Sequence, residues 1–335
     1  MNTTATPSLP AVTIVVEWEN AIDVEDKWTQ RAMLAFQEEL RRCGPRFKQR
    51  PRVMYLYDKN SVSEQTIQRV ITHAAPDLPH LAELELVPTP GLTYYKLKNH
   101  GARLAKTEIM ILLDCDAGPR PGWLTGMVEP FTNSQVQAVA GFCVLGHEDL
   151  VSRTMALSWI MELPSEREFP VKHRKMFPNN CAFRTEFFKQ NPFPDLEAFK
   201  KACGFWQREV ESRGIKIAFA PDAMIVHAPQ TPKFLVWRAW ATGLDRDFKT
   251  FHIVTRSKLG RVGYSFFAWA KKIARSWTRI LTKGGEVDLP IWQYPAAMFI
   301  ASGFFTIMLF GELWAAATRR YEPAVGRVAD SVQQS

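Results

Sequence analysis

Apolar positions in the first 145 residues fall into short runs separated by stretches with helical spacing. Val12-Thr13-Ile14-Val15-Val16 is almost wholly β-branched, as suits a core strand. From about Ile22 to Arg42, Trp28, Ala32, Phe36 and Leu40 recur every four residues, which predicts an amphipathic helix. Val53 to Tyr57, after Pro51, is a second strand run ending at Asp58, and a polar helix from about Ser63 to His73 follows. Leu84 to Val87 is a weaker third strand, and Thr93 to Ala105 a further helix. Ile109-Met110-Ile111-Leu112-Leu113 is a fourth strand, stopped by the Gly- and Pro-rich Ala117 to Gly122. This alternation predicts an α/β fold: a mostly parallel sheet with helices on both faces. Val136 to Val144 reads as another strand, and Ile215–Phe219 with Met224–His227 as a final pair.

The patterning changes after residue 255. Between Phe266 and Leu281, the residues Phe266, Trp269, Ala270, Ile273, Trp277 and Ile280 share one helical face, and Lys271, Lys272, Arg275 and Arg279 cover much of the rest. That is the pattern of a helix lying in a membrane interface; an ordinary surface helix packed on a domain is the competing reading. Pro290 follows, and then Ile291 to Ala317, whose one charge is Glu312. About 20 apolar residues suffice to cross a bilayer, so this stretch predicts a transmembrane helix, against the alternative of a buried core helix. Trp292, Tyr294 and Trp314 would sit at the interfaces.

Charge sharpens this picture. The formal net charge is +8, and eight Lys or Arg lie between Arg256 and Lys283, beside the apolar stretch. Basic residues so placed point to membrane lipids rather than nucleic acid as partners. Only Arg319, Arg320 and Arg327 follow the apolar stretch, so the positive-inside rule expects a single-pass protein with its main domain cytoplasmic. Five cysteines without a C-x-x-C pair fit reduced thiols. The start of the chain has no basic region before an apolar run, so no signal peptide is expected.

The candidate chemistry sits at the end of the fourth strand. Asp114-Cys115-Asp116 puts two carboxylates two residues apart at the carboxyl edge of a sheet, where open α/β folds bind ligands. A divalent cation with a phosphate-bearing ligand would relieve their repulsion; the alternative is a pair of solvated turn aspartates.

The order of these features resembles the nucleotide-binding half of the family 2 glycosyltransferases, which have the GT-A fold. The resemblance runs through the Val12–Val16 strand ending near Asn20, Asp58, Lys98-Asn99-His100-Gly101 and Asp114-Cys115-Asp116. It continues through Asn179-Asn180-Cys181-Ala182-Phe183-Arg184, then Gly214-Ile215-Lys216-Ile217 and the stretch from Pro221 to His227, covering roughly Val12 to His227. It implies that Asp58 binds the nucleobase, that Lys98 lies near the nucleotide, and that Asn99 and Gly101 shape the helix beneath it. Asp114 would hold the ribose or a metal-bound water. Asp116 would ligate Mg²⁺ or Mn²⁺, with His227 as a second ligand. Asn180 would line the sugar or acceptor pocket. Trp18 and Asn20, at the end of the first strand, complete the donor-binding set. The family's acidic pair before the residue matching Gly214 is missing: Ala202-Cys203 stands there. Asp195 and Glu197, after Pro192-Phe193-Pro194, are the favoured candidates for the general base, ahead of Glu209 and Glu211.

The expected organisation is a flexible 1–10 and a GT-A-like domain over 11–230, with its nucleotide-binding half at 11–120 and its acceptor half at 121–230. A basic amphipathic segment over 231–289, a transmembrane helix over 291–317 and a tail over 318–335 complete it. The implied activity is metal-assisted, inverting transfer of a sugar from a nucleotide-sugar donor to a glycan or lipid-linked acceptor at the cytoplasmic membrane face. The alternative is a catalytically degenerate GT-A domain acting as a membrane-tethered nucleotide-sugar-binding or scaffold protein. A nucleotidyltransferase is disfavoured, because Glu17 to Ile22 holds no glycine-rich phosphate loop.

Overall fold

The structure, a computed structural model, describes residues 8–19, 21, 24–158, 161–167, 175–196 and 201–319. Eight strands form one sheet: β1 (Val12–Glu17), β2 (Arg52–Tyr57), β3 (Glu83–Pro88), β4 (Ile109–Asp114), β5 (Ala117–Pro119), β6 (Ala138–Leu145), β7 (Asn180–Arg184) and β8 (Ile217–His227). Their order is β3-β2-β1-β4-β7-β6-β8-β5. β1 pairs in parallel with β2 and β4, and β2 with β3. Beyond β4 the ladders β4–β7, β6–β7 and β5–β8 are antiparallel. The parallel arrangement expected from the strand–helix alternation thus holds for the first four strands, and the acceptor side is mixed. Every residue of β1 and β4 is buried, which is why both read as unbroken apolar runs rather than alternating ones.

The helices are α1 (Asp26–Cys43), α2 (Glu64–Ala74), α3 (Leu78–Leu81), α4 (Tyr94–Leu104), α5 (Trp123–Val128), α6 (Leu150–Ser158), α7 (Thr185–Gln190), α8 (Ala202–Ser212), α9 (Pro232–Ile253), α10 (Lys258–Lys283) and α11 (Tyr294–Thr318). Of these, α1, α2, α4, α10 and α11 fall where the periodicity predicts them. Ser63 caps α2 by accepting from the amide of Thr66. α4 lies against β1 at Gly101, where a Cβ would run into the side chain of Val15. That close approach seats the buried face of α4 beneath the ends of β1 and β4.

Three expectations change. The expected pair over 215–227 is a single eleven-residue strand, Ile217–His227. Pro221 lies ahead of Ile225–His227, the residues paired with β5, and a proline fits a strand where its missing N–H removes no ladder bond. The N-terminus is fixed by Leu9, which is buried and bridged to Phe47, its amide donating to Arg46 O at 2.8 Å. Residues 1–7 and 320–335, most of the expected flexible start and tail, lie outside the described residues. Finally, the chain does not divide at residue 230. One compact unit comprises Met1–Val144, Glu168–Phe193 and Ile215–Ala228, and holds the sheet. The other comprises Leu145–Arg167, Pro194–Gly214 and Pro229–Ser335.

The second unit is helical. α11 packs along α9, α10 and α6. It approaches α9 closely at Gly243 and Gly311, where a Cβ on either would meet backbone of the other helix. Buried ion pairs join Arg246 Nε to Glu312 Oε1 and Arg261 Nη1 to Asp247 Oδ2, each at 2.6 Å. Helical structure from Ile291 to Thr318 is long and apolar enough to cross a membrane. The apolar face of α10 is divided differently from the expected one. Ile280 and Arg279 are buried, while Phe266, Phe267, Trp277 and Leu281 are exposed.

Candidate active site

Asp114 ends β4, and the chain turns through Cys115 and Asp116 into β5. β5 pairs with the end of β8, opposing Ala117 to His227, and the amide of Ala228 donates to Asp116 O at 2.9 Å. Backbone pairing therefore delivers His227, from far along the chain, to the acidic pair. Asp114, Asp116 and His227 are all buried, and one ligand atom from each lies within 4.8 Å of the others. His227 Nδ1 is 3.6 Å from Asp116 Oδ2. The same nitrogen lies 2.8 Å from Ala228 O, a pairing that places the proton on Nδ1 and leaves the Nε2 lone pair available. Two carboxylates and an imidazole nitrogen are a donor set that can hold a divalent cation such as Mn²⁺.

The two aspartates have different surroundings. Lys98 Nζ donates to Asp114 Oδ1 at 2.6 Å, and the Tyr94 hydroxyl lies 3.2 and 3.0 Å from its two oxygens. Lys98 is fully buried, and its ammonium sits 4.5 Å from the centroid of the Tyr94 ring. Glu17, the register partner of Asp114 on β1, is a second buried acid beside this lysine. Burial alone would favour the neutral amine, but Asp114 and Glu17 together hold Lys98 above the ordinary lysine range. Burial, with Asp114 and Glu17 adding to it, pushes the Tyr94 phenol well up, so it stays a hydrogen-bond donor. Burial, chiefly, also raises the Cys115 thiol, with Asp116 and Glu17 beside it, and keeps it inert.

Several residues expected at the donor have other partners. Lys98 is an internal counter-ion, not a group facing a nucleotide. Asn99 clasps the backbone of Phe193, its Nδ2 donating to Phe193 O at 2.8 Å and its Oδ1 accepting from Phe193 N at 3.1 Å. Asn180 is fully buried: it accepts from Trp123 Nε1 at 2.8 Å and donates to Phe142 O and Ala223 O at 2.8 and 2.9 Å. All the hydrogen bonds its amide group can donate are thus spent on tying β6, β7 and β8 together, and none remains for a sugar. Trp18 is buried edge-on against Tyr55, with ring centroids 5.6 Å apart, so neither face is open to a base. Asp58 ends β2 and caps its own turn, Oδ1 accepting from Asn60 N at 2.9 Å, while remaining partly exposed. Asp195 is exposed and belongs to the helical unit. Asn20 and Glu197 lie outside the described residues. Ala202 and Cys203 are buried at the start of α8.

Glu17 and Tyr94 are members of the site that no motif in the sequence marks. Tyr94, Lys98, Gly101 and Ala105 follow one helical stripe, so a lysine on an otherwise apolar face was the available signal. Glu17 continues a fully buried strand, where an acid demands a partner.

Comparison with known proteins agrees with this arrangement. Residues 87–191, which run from β3 through the acidic pair to the end of α7, match the model of Glycosyl transferase family 2. Among solved structures, the mannosyltransferase PcManGT from Pyrobaculum calidifontis, in complex with GDP-Man and Mn²⁺, is 18% identical with a TM-score of 0.53. That alignment covers 93% of this chain and 90% of the other. TarS 1-349 of S. aureus in complex with UDP is 11% identical with a TM-score of 0.48, covering 93% of each chain. No curated protein sequence matches the chain. The chain thus matches Glycosyl transferase family 2 over residues 87–191 and shares its fold with a solved mannosyltransferase.

Proposed function

We propose that this glycosyltransferase moves a sugar from a nucleoside-diphosphate donor to a glycan or lipid-linked acceptor at the cytoplasmic face of a membrane. The reading is carried by one observation: the buried Asp114–Asp116–His227 group at the carboxyl edge of β4. Asp116 and His227 would be the principal ligands of a divalent cation, Mg²⁺ or Mn²⁺, and Asp114 would complete the set from its fixed position against Lys98 and Tyr94. A cation held there would supply Lewis-acid charge to stabilise the departing nucleoside diphosphate. PcManGT, whose structure holds GDP-Man and Mn²⁺, supports a metal-bound nucleotide-sugar donor.

The chain's own groups do the rest. Lys98 and Tyr94 hold Asp114 in place through hydrogen bonds, so a metal would meet a preorganised carboxylate rather than a mobile one. Asp58, the partly exposed acid at the end of β2, is the candidate for base recognition. Asp195, with Glu197, is the candidate general base that takes the acceptor's proton as the anomeric carbon inverts. The helical unit, with its apolar α11 and the basic residues of α10, brings the enzyme to the membrane where a lipid-linked acceptor resides.

Donor hydrolysis and transfer, measured with Mn²⁺, with EDTA and in Asp116→Asn, test the reading. Activity that survives both chelation and the substitution would sink it. The second reading, a degenerate domain that binds a nucleotide sugar without turnover, is favoured by the buried Ala202-Cys203 where the family places acids. Calorimetric binding of UDP or GDP with Mn²⁺, and no product across a donor and acceptor panel, would establish it.

A further inference from the structure

We propose that α10 and α11 form an antiparallel hairpin that lies in the plane of an anionic bilayer, within one leaflet, its outward apolar stripes inserted and its basic flank on the headgroups. The proposal rests on the membrane reading above and specifies how the membrane is engaged.

The first observation is the inverted polarity of α10. Along its exposed side run Leu259, Phe266, Ala270, Trp277 and Leu281, spaced to share one face, with Phe267 beside them. Leu259 is 86% exposed and Phe267 64%. The buried side holds Arg261, Ser265, Ser276 and Arg279 beside only two apolar residues, Ala268 and Ile280. Arg261 pairs with Asp247 of α9 at 2.6 Å, and Arg279 with Glu166 at 3.4 Å. A helix in a water-soluble protein buries its apolar stripe and exposes its charges. This one buries two arginines and leaves an apolar stripe exposed from Leu259 to Leu281. Such a surface needs an apolar environment outside the protein.

The second observation is direction. Arg261 Nη2 reaches Ala316 O at 3.2 Å, Trp269 Nε1 reaches Thr306 Oγ1 at 3.3 Å, and Trp277 Nε1 reaches Ser302 Oγ at 3.1 Å. As numbers rise on α10 they fall on α11, so the two helices lie side by side and antiparallel. α11 exposes its own stripe of Phe299, Phe310 and Trp314, continued by Trp292 in the turn before it, with Phe299 80% exposed. The two stripes adjoin where Trp277 donates to Ser302, next to the exposed Gly303.

The third observation is charge, which fixes the depth. Lys258, Lys271 and Arg275 of α10 are exposed beside the apolar stripe, two of them near the middle of the helix. If α11 crossed the bilayer, α10 alongside it would carry those charges through the hydrocarbon, where such groups are expensive. With the hairpin in the interface, the same side chains reach anionic headgroups while the aromatic residues enter the acyl boundary. The single acid of α11, Glu312, is buried against Arg246 and opposes neither arrangement of the exposed face.

The full chain, bearing an added C-terminal epitope, provides the test in vesicle flotation and protease protection. Binding should be at least ten-fold stronger to vesicles containing phosphatidylglycerol than to pure phosphatidylcholine, and weaker at high salt. Phe266→Glu with Phe267→Glu should lower it at least ten-fold while the far-ultraviolet circular dichroism stays unchanged. Lys271→Gln with Arg275→Gln should remove the preference for anionic lipid. The epitope should be cleavable from the same side as the catalytic domain. An epitope protected inside sealed vesicles would overturn the in-plane hairpin while leaving membrane attachment intact. Absence of binding to any vesicle, or a dimer in lipid-free buffer that Phe266→Glu dissociates, would overturn attachment itself.

Discussion

At the scale of single residues, the site separates side chains that hold structure from those that face chemistry. Lys98 is the counter-ion of two buried carboxylates, and removing one partner from such a group leaves an uncompensated charge. Lys98→Met should therefore cost about 3–5 kcal/mol, read as a lowered urea midpoint. Its pH dependence has a definite sign. The folded value is raised, so the stability this lysine confers is complete below the unfolded value near 10.4 and is lost as pH climbs through the higher folded value. Between pH 6 and 9 the difference between wild type and Lys98→Met should carry no slope from this group. Asn180→Ala strips the partners of Trp123, Phe142 and Ala223 and should destabilise by about 2–4 kcal/mol, with metal and nucleotide binding by the folded fraction unchanged. Asp116→Asn should do the opposite, abolishing metal-dependent turnover with little change in the unfolding midpoint. The acidic pair was legible in the sequence because a short apolar run ending in two acids has few explanations. The roles of Lys98, Asn99 and Asn180 were not, because a sequence does not say whether a polar side chain within a motif faces a ligand or ties down a neighbouring backbone.

At the scale of elements, periodicity located β1 to β4, β6 and the helices α1, α2 and α4 of the sheet unit, since β1, β2 and β4 are buried on both faces and α1 and α2 on one, but it did not mark β5, α5, β7 or α7. It failed where pairing decides. Pro221-Asp222 looked like a turn, and only the partnership of β8 with β5 shows a continuous strand. It failed also on α10, where apolar residues point both inward and outward and the inward polar ones are met by ion pairs from other elements. The contact between α9 and α11 makes a sharper test of element packing. A Cβ at Gly243 would meet the carbonyl oxygen of Met308, and one at Gly311 the carbonyl oxygen of Trp240, whereas Gly303 has open space around it. Gly243→Val and Gly311→Val should each lower stability by about 1–3 kcal/mol or more by forcing the helices apart. Gly303→Ala, in the same helix α11, should be neutral or stabilising by up to about 1 kcal/mol, because it restricts the unfolded chain and touches nothing. Thermal unfolding of the three variants in detergent would show the contrast. Equal losses at all three positions would mean that helix propensity, not interhelical packing, governs this unit.

At the scale of the whole molecule, the two units are interleaved along the chain. The sequence pattern suggested a catalytic domain ending near residue 230 with membrane helices appended, yet residues 145–167 and 194–214 belong to the helical unit. Their apolar side chains are buried by the later helices of that unit. Phe205 of α8 packs on Phe248 of α9, with ring centroids 5.9 Å apart, and Leu196 and Ile253 complete the cluster. α6 packs on α10 and α11, burying Met155, Ala156 and Leu157. A chain stopped at residue 230 would keep α6 and α8 but lose every helix that covers them. Burying a large apolar side chain is worth about 1.5–3 kcal/mol, so three such losses, at Met155, Leu157 and Phe205, are already comparable with a domain's entire stability. Such a shortened chain should therefore aggregate or bind a hydrophobic dye strongly, even though its sheet, acidic pair and His227 are all present. Size-exclusion chromatography and dye binding on the chain ended at 230, beside the full chain in the same detergent, make the comparison. A monomeric, cooperatively melting 1–230 would mean that the helical unit is an appendage after all. Aggregation would mean that the sheet unit and the C-terminal helices cannot be inherited or removed independently, because residues before 230 depend on helices after it for their burial.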